Sequence, residues 1–379
     1  MHFARFVARN ATRNKRRTAF TVLSIGFSLF LLIMLYTVLD LLTNPPSTEA
    51  SALRLAVRRS TSIAEMLPLS YEQKLEQVPH VKAVMPLQWF GGYYKEPKNF
   101  FGNLATDPVK FWTFFPEYKT DEATKRAWAA DRRAAVCAPD LMKRFGWKVG
   151  DRVTLKGTIF PVDLEFTLVG TSDFELDKSN FWFRFDYLNE AMGDMGQVGS
   201  FWLQADSAES IPGIIQTVDA MFRNSPAETL TETEKSFQLA FIGMLGNVRM
   251  MIGSISLVVV FTMLLVAAST MAMTIRERMR EVAILKAIGY PRKTILALIL
   301  GESVLIGLLG VCLGILLAVA LGRMDVNRAT MGFLPFFKPP WSVYGMAVAV
   351  SAGIGFFSGL FPALQASGMT ITEAMRRLE

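Results

Sequence analysis

The sequence predicts an integral membrane protein, with a four-helix transmembrane domain and a large α+β extracytoplasmic domain between helices 1 and 2. Three observations predict it. Of 379 residues, 51% are hydrophobic and only 19% charged, whereas soluble domains are about one-quarter charged. The apolar excess is gathered into four runs. Residues 19–39, 250–275 and 341–372 carry no charge, and 294–322 carry only Glu302. Each is long enough for a bilayer core of about 30 Å, which needs about 20 apolar residues of helix. Finally, basic residues cluster at the ends of these runs. Arg5, Arg9, Arg13, Lys15, Arg16 and Arg17 precede the first, while Arg276, Arg278, Arg280, Lys286, Arg292 and Lys293 follow the second. Arg376 and Arg377 close the chain. Cytoplasmic flanks collect Lys and Arg in this way, so both termini and the hinge at 276–293 are expected in the cytoplasm. The pI near 9.4 then reflects membrane flanks. No basic stripe interleaved with aromatics points to nucleic acid.

In chain order, residues 1–17 set Phe3, Phe6, Val7 and Ala11 opposite Arg5, Arg9 and Arg16. That spacing suits an amphipathic helix on an anionic membrane surface. The first span is expected at 18–43. Its apolar core exceeds the 7–15 residues of a signal sequence, and 41–47 lack a small-residue cleavage site, so it reads as an uncleaved anchor.

The outer segment, 44–247, mixes helix and strand and leaves room for two subdomains. Residues 71–78 read as helix ended by Pro79, and "HVKAVMPLQWF" as strand. "VGDRVTL" supplies a turn at Gly150–Asp151 and a short strand. The strongest alternation is "TIFPVDLEFTLVG", with Phe160, Val162, Leu164, Phe166 and Leu168 on one face. Ile211, Ile214, Ile215, Val218, Met221 and Phe222 make 207–223 an amphipathic helix. Aromatics crowd residues 88–118, which reads first as core and second as an apolar surface for a greasy substrate or partner.

Spans are then expected at 248–275, 294–322 and 341–366, with a short extracytoplasmic loop at 323–340. A cytoplasmic helix is expected at 367–379, where Thr370 and Glu373 form a capping box. Small residues recur four apart, at Gly310 and Gly314 and at Ser351, Gly355 and Gly359. Such stripes let helix backbones approach closely, and contacts within one subunit are favoured over contacts between copies. Glu302 is the one acid well inside a span. An intramembrane carboxylate is costly; a packing role is favoured, with ion coupling as the alternative.

Much chemistry is absent. The only histidines are His2 and His80, and the only cysteines Cys137 and Cys312, so neither a Cys/His metal set nor a disulfide framework is expected. No G-x-S-x-G occurs, and Lys178–Ser179 and Lys293–Thr294 lack the glycines of a phosphate-binding loop. The expectation is therefore no catalytic residue, no metal and no cofactor, with ATP bound by a partner.

The hinge is the most patterned stretch. Residues 275–287 hold good helix formers and no Gly or Pro, so helix is expected to run on unbroken from the second span. Gly289 suits a left-handed stop, and Pro291 the first turn of the next helix. Val282, Ile284, Leu285 and Ile288 spread around this helix, so the membrane bundle or a docked partner must cover them.

"RERMREVAILKAIGYPRKTI" resembles the signature loop of MacB/FtsX-type permeases of ABC transporters, which reads roughly R-x-R-x-x-E-I-G-I-L-R-A-L-G. Arg276, Arg278, Glu281, Val282, Leu285, Lys286, Ala287 and Gly289 fall on the pattern, with Ala283 at its usual Gly. "RNKRRTAFTVLSIGFSL", "PHVKAVMP", "GDRVTL", "GESVLIGLLGVCLG" and the terminal "FPALQASGMTITEAMRRL" are similar to other parts of the family. The resemblance implies a stand-alone permease subunit whose 276–293 segment is a coupling helix for a separate ABC ATPase. It implies a second permease copy and a bacterial cytoplasmic membrane. It also implies mechanotransmission, in which ATP-driven movement drives efflux or extraction of a substrate from the outer side. A periplasmic adaptor with an outer-membrane channel stays open, as does an FtsX-like role regulating a cell-wall hydrolase.

Overall fold

The computed structural model describes residues 15–44, 48–175, 177–243, 246–324 and 337–369. The surface helix expected before residue 15, most of the loop at 323–340, and the C-terminal helix with Thr370 and Glu373 lie outside them. The chain divides into an outer unit and a unit of spans.

Helix α1 (Lys15–Thr43) is the first span. The outer unit then runs through β1 (Arg54–Arg59), β2 (Leu67–Pro68), α2 (Tyr71–Leu75), β3 (Val81–Trp89), β4 (Tyr93–Tyr94), β5 (Asn103–Thr106) and α3 (Phe111–Phe114). It continues through α4 (Glu122–Ala130), β6 (Ala134–Cys137), α5 (Pro139–Phe145), β7 (Arg152–Lys156), β8 (Asp163–Thr171), β9 (Phe181–Arg184) and α6 (Phe185–Ala191). β10 (Gln197–Val198), β11 (Ser200–Ala205), α7 (Ile211–Met221), β12 (Thr229–Thr233) and α8 (Glu234–Gly243) complete it.

One sheet of ten strands organises this unit, in the order β12-β1-β11-β3-β5-β9-β6-β8-β7-β4. Pairing is antiparallel except between β5 and β9 and between β6 and β8. Both faces of its central strands are covered. Leu55, Phe201, Leu203, Phe181 and Phe183 point into one apolar cluster. Ala56, Trp202, Trp182 and Met85 point into another on the opposite face. The crowded aromatics are mostly core: Phe90, Phe101, Phe111, Phe114 and Phe115 are buried, while Trp89 and Phe100 are exposed. The strand expected from residue 158 starts only at Asp163. Phe160 and Val162 sit in the tight β7–β8 turn, where the Val162 amide donates to the Phe160 carbonyl.

Buried Arg54 ties three parts of this unit together. It donates Nε to Glu234 at 2.5 Å, Nη2 to Glu117 at 2.6 Å and Nη1 to the Phe114 carbonyl at 2.7 Å. Its guanidinium also lies over the Phe115 ring. Burial opposes its charge, but the two carboxylates raise its pKa further. Two acids share one base here, and burial pushes the Glu234 carboxyl above its usual range despite Arg54.

The remaining helices are α9 (Val248–Glu277), α10 (Met279–Ala287), α11 (Arg292–Gly322) and α12 (Trp341–Gly368). With α1, the helices α9, α11 and α12 are the four candidate spans. The glycine stripes pack helix on helix. A Cβ on Gly314 would meet the Gly26 carbonyl, and one on Gly310 would meet Ile25. Gly355 abuts the Ser303 carbonyl and Val304, and Gly359 abuts Ser303. Ser351 donates its hydroxyl to the Gly307 carbonyl at 2.6 Å.

Candidate coupling site

Helix does not run unbroken from the second span into the hinge. It stops at Arg278, whose φ and ψ of −106° and 10° are not helical, and restarts at Met279. The helix-forming residue types on both sides gave no hint of this. The tertiary environment supplies the reason: Arg278 turns to donate Nη1 to Glu302 at 2.6 Å and Nε to Glu281 at 3.1 Å. A hydrogen-bonded ion pair recovers what an unpaired, nearly buried carboxylate would cost.

The other end is built as its residues suggest. Gly289 has φ of +97°, a left-handed conformation that strains any side chain. The Tyr290 amide closes the turn on the Leu285 carbonyl at 3.1 Å. Pro291 is extended and precedes α11 rather than sitting in its first turn.

Further bonds secure α10 on its inner side. Lys286 donates to the Ser367 carbonyl at 2.9 Å and to that of Met369, and Arg292 donates to Ser367 at 3.0 Å. These cations satisfy carbonyls that α12 leaves open at its C-terminal end, where the helix dipole also favours positive charge. Arg17 on α1 pairs with Glu277 at the end of α9. Sequence reasoning missed both links, because backbone carbonyls have no signature and Arg17 read only as a membrane flank.

The expected residues therefore separate. Arg278, Glu281 and Glu302 form one bonded group, Lys286 is tied to the end of α12, and Val282 is buried with Ala283. Leu285 is half-buried, whereas Arg276 and Ala287 are exposed. The exposed residues of the segment include large apolar ones, Ile284 at 51%, Ile288 at 70% and Tyr290 at 47%, beside the charged Arg276, Arg280 and Lys293. An open cavity of about 250 Å³ beside α10 is walled by Thr274, Arg278, Ile284, Leu285, Ile299 and Glu302 among others, so Ile284 also borders this cavity. Among the described residues no group of His, Cys, Asp and Glu is placed to hold a metal.

Comparison with known proteins agrees with this architecture. The family model for the MacB-like periplasmic core domain matches residues 18–221, and that for the FtsX-like permease C-terminal region matches 253–371. An uncharacterized ABC transporter permease of Methanocaldococcus jannaschii is 24% identical over 80% of this chain and 79% of its own. The macrolide export ATP-binding/permease protein MacB of Bradyrhizobium diazoefficiens is 31% identical over 42% of this chain, a stretch that is 23% of the relative's length. Among solved structures, the periplasmic region of MacB from Actinobacillus actinomycetemcomitans aligns with 50% of this chain and 92% of its own, at 9% identity and a TM-score of 0.37. The two family models together take in both the outer unit and the segment holding α10, and the chain belongs to the MacB/FtsX-type permeases of ABC transporters.

Proposed function

We propose that this permease takes its energy from a separate ATPase subunit that docks on α10, and that two permease copies work as a pair in a bacterial cytoplasmic membrane. The observation that carries this reading is the two-sided character of the hinge. Its inner side is bonded to α11 and α12, while Ile284, Ile288 and Tyr290 lie uncovered. An apolar patch on a charged segment marks an interaction surface, and its anchorage lets a push on the patch move the spans. No phosphate-binding loop occurs in these 379 residues.

In this reading, ATP-driven closure of the partner ATPases displaces α10. The tethered helices carry that displacement toward the outer unit, through the chain connections of α1 to β1 and of α8 to α9. Cargo is expelled or extracted at the outer side of the membrane. The name of the MacB relatives, macrolide export, supports an amphiphilic cargo.

The test is co-purification with a candidate stand-alone ABC ATPase subunit from the same organism. Ile284→Ser with Ile288→Ser should lower ATPase recovery and cargo-stimulated hydrolysis at least tenfold, while membrane insertion stays intact. Undiminished association in that variant refutes docking on this face.

A further inference from the structure

The outer unit encloses an apolar cavity of about 560 Å³, a volume typical of small-molecule sites. All its described lining residues belong to the outer unit, and nothing in the coupling scheme uses it. β3 contributes Trp89 to its wall, and α8 contributes Phe237 and Phe241. The Trp89 ring meets Phe100 and Phe241 edge-on, at 6.2 and 6.0 Å between centroids. Trp89, Phe100, Phe241 and Ile159 are each about two-fifths to one-half exposed, a concentration of uncovered apolar side chains around one opening.

The polar members of the wall are engaged within the protein. Gln88 accepts from the Gly199 amide at 2.5 Å and donates to the Trp89 carbonyl at 2.9 Å. Asn180 donates to Asp177 at 2.7 Å, and Ser200 donates to the Leu87 carbonyl at 3.3 Å. No Lys, Arg, His, Asp or Glu is among the described lining residues. A charged group entering would lose its water and meet no counter-charge. An uncharged one would gain apolar burial.

Lining chemistry also separates two kinds of uncharged ligand. Because the polar side chains of the wall already have partners within the protein, the distinction rests on the uncovered rings of Trp89, Phe100 and Phe241. A saturated acyl chain makes no use of the ring edges, whereas a ring-bearing molecule would pack against them in stacked or edge-on contacts and leave its own polar groups at the opening. We propose that this cavity binds an uncharged, ring-bearing amphiphile of drug-like size. The inference rests on the transporter reading for the ligand's fate, not for its binding. Because α8 precedes α9 in the chain, the occupied wall belongs to the element that leads into the second span.

The experiment uses the full-length protein in lipid nanodiscs without any ATPase. One arm adds a neutral phenyl-diazirine amphiphile; the other uses phosphatidylcholine with a diazirine in its acyl chain. Adducts are mapped by mass spectrometry after illumination. Saturable labelling of the peptides holding Trp89 and Phe241 by the phenyl probe is expected. It should fall at least tenfold in Phe241→Arg and in Phe100→Arg, which place a charge at the opening. The two positions lie on different segments, so either variant suffices if the other does not fold. Labelling of those peptides by the lipid probe, labelling by neither probe, or unchanged labelling in the Arg variants overturns the proposal. With the ATPase absent, such a failure leaves docking on α10 untouched.

Discussion

Arg278 and Glu302 stand 24 residues apart and are joined by a 2.6 Å hydrogen bond between guanidinium and carboxylate. The bond fastens the point where α9 breaks to the body of α11. Glu302 is 6% exposed, and Arg278 offers it both a counter-charge and a donor. A carboxylate so engaged needs no transported ion to explain it. The pairing favours a structural role over ion coupling.

Glu302→Gln should therefore weaken the attachment of the hinge, at roughly 3 kcal/mol if the pair behaves as others that are largely buried. In the reconstituted complex, cargo-stimulated ATP hydrolysis should drop several-fold while basal hydrolysis changes less. Arg278→Met should have a similar effect, and the double variant should be no worse than either single one, as expected for residues in one bonded pair. Strictly additive losses would show that the two act separately. Loss of transport only when a proton gradient is imposed would restore the ion-coupling reading.

The glycine stripes give a second test. A Cβ on Gly355 would lie 2.8 Å from the Ser303 carbonyl oxygen and 2.8 Å from the Val304 Cα, both backbone atoms that cannot swing aside. Gly355→Val should force α11 and α12 apart and lower the thermal midpoint of the detergent-solubilised protein by several degrees. Gly345→Val on the same helix meets nothing within 4 Å and serves as the control. Equal midpoints for the two variants would remove the packing role.

How much of this was legible in the sequence depended on how many sides of each element are buried. The four spans and the left-handed stop at Gly289 were legible because charge-free length and glycine chemistry are local signals. The alternating parts of β7 and β8 were legible as strands because one face of each is less buried than the other, as in the alternating burial of β8. The turn between them, at 157–162, reads as strand from residue 158 in the sequence. By contrast, β6 with "AAVC" and β9 with "FWFR" show no alternation. Apolar residues cover both faces of the sheet there, which erases the period of two. The break at Arg278 and the Lys286–Ser367 link depend on groups brought together only by folding. The crowded aromatics of 88–118 divide between core and cavity wall, a division set by sheet order and not by composition.

The Arg54 cluster predicts an asymmetry. One guanidinium faces Glu117 and Glu234, so removing the base leaves two buried acids, whereas removing one acid leaves a balanced pair. Arg54→Met should cost the outer unit about 3–5 kcal/mol. Glu234→Gln should cost only about 1 kcal/mol, a typical hydrogen-bond contribution, because burial already disfavours its charge. Chemical denaturation followed by tryptophan fluorescence measures both. Equal losses would mean that the cluster is held by packing on Phe115 and not by charge.

Asp177 makes the outer unit sensitive to pH. Its carboxylate accepts from the Tyr118 hydroxyl, from Asn180 at 2.7 Å and from the Ser179 amide at 3.3 Å. Burial raises its pKa above 3.8, although these three donors oppose the shift. The folded state therefore holds a proton that the unfolded chain releases more readily. The resulting stability is complete below the unfolded value near 3.8 and is lost as pH rises through the raised folded value. Asp177→Asn carries no titrating group, so the difference in unfolding free energy between wild type and variant should favour the wild type most at low pH. It should shrink as pH rises and then level off. Glu234 and Asp219 are also raised by burial, but both are present in the two proteins and cancel in the difference. Denaturation of each at a series of pH values gives the curve. A difference that does not change with pH would mean that Asp177 keeps the same protonation in the folded and unfolded chains.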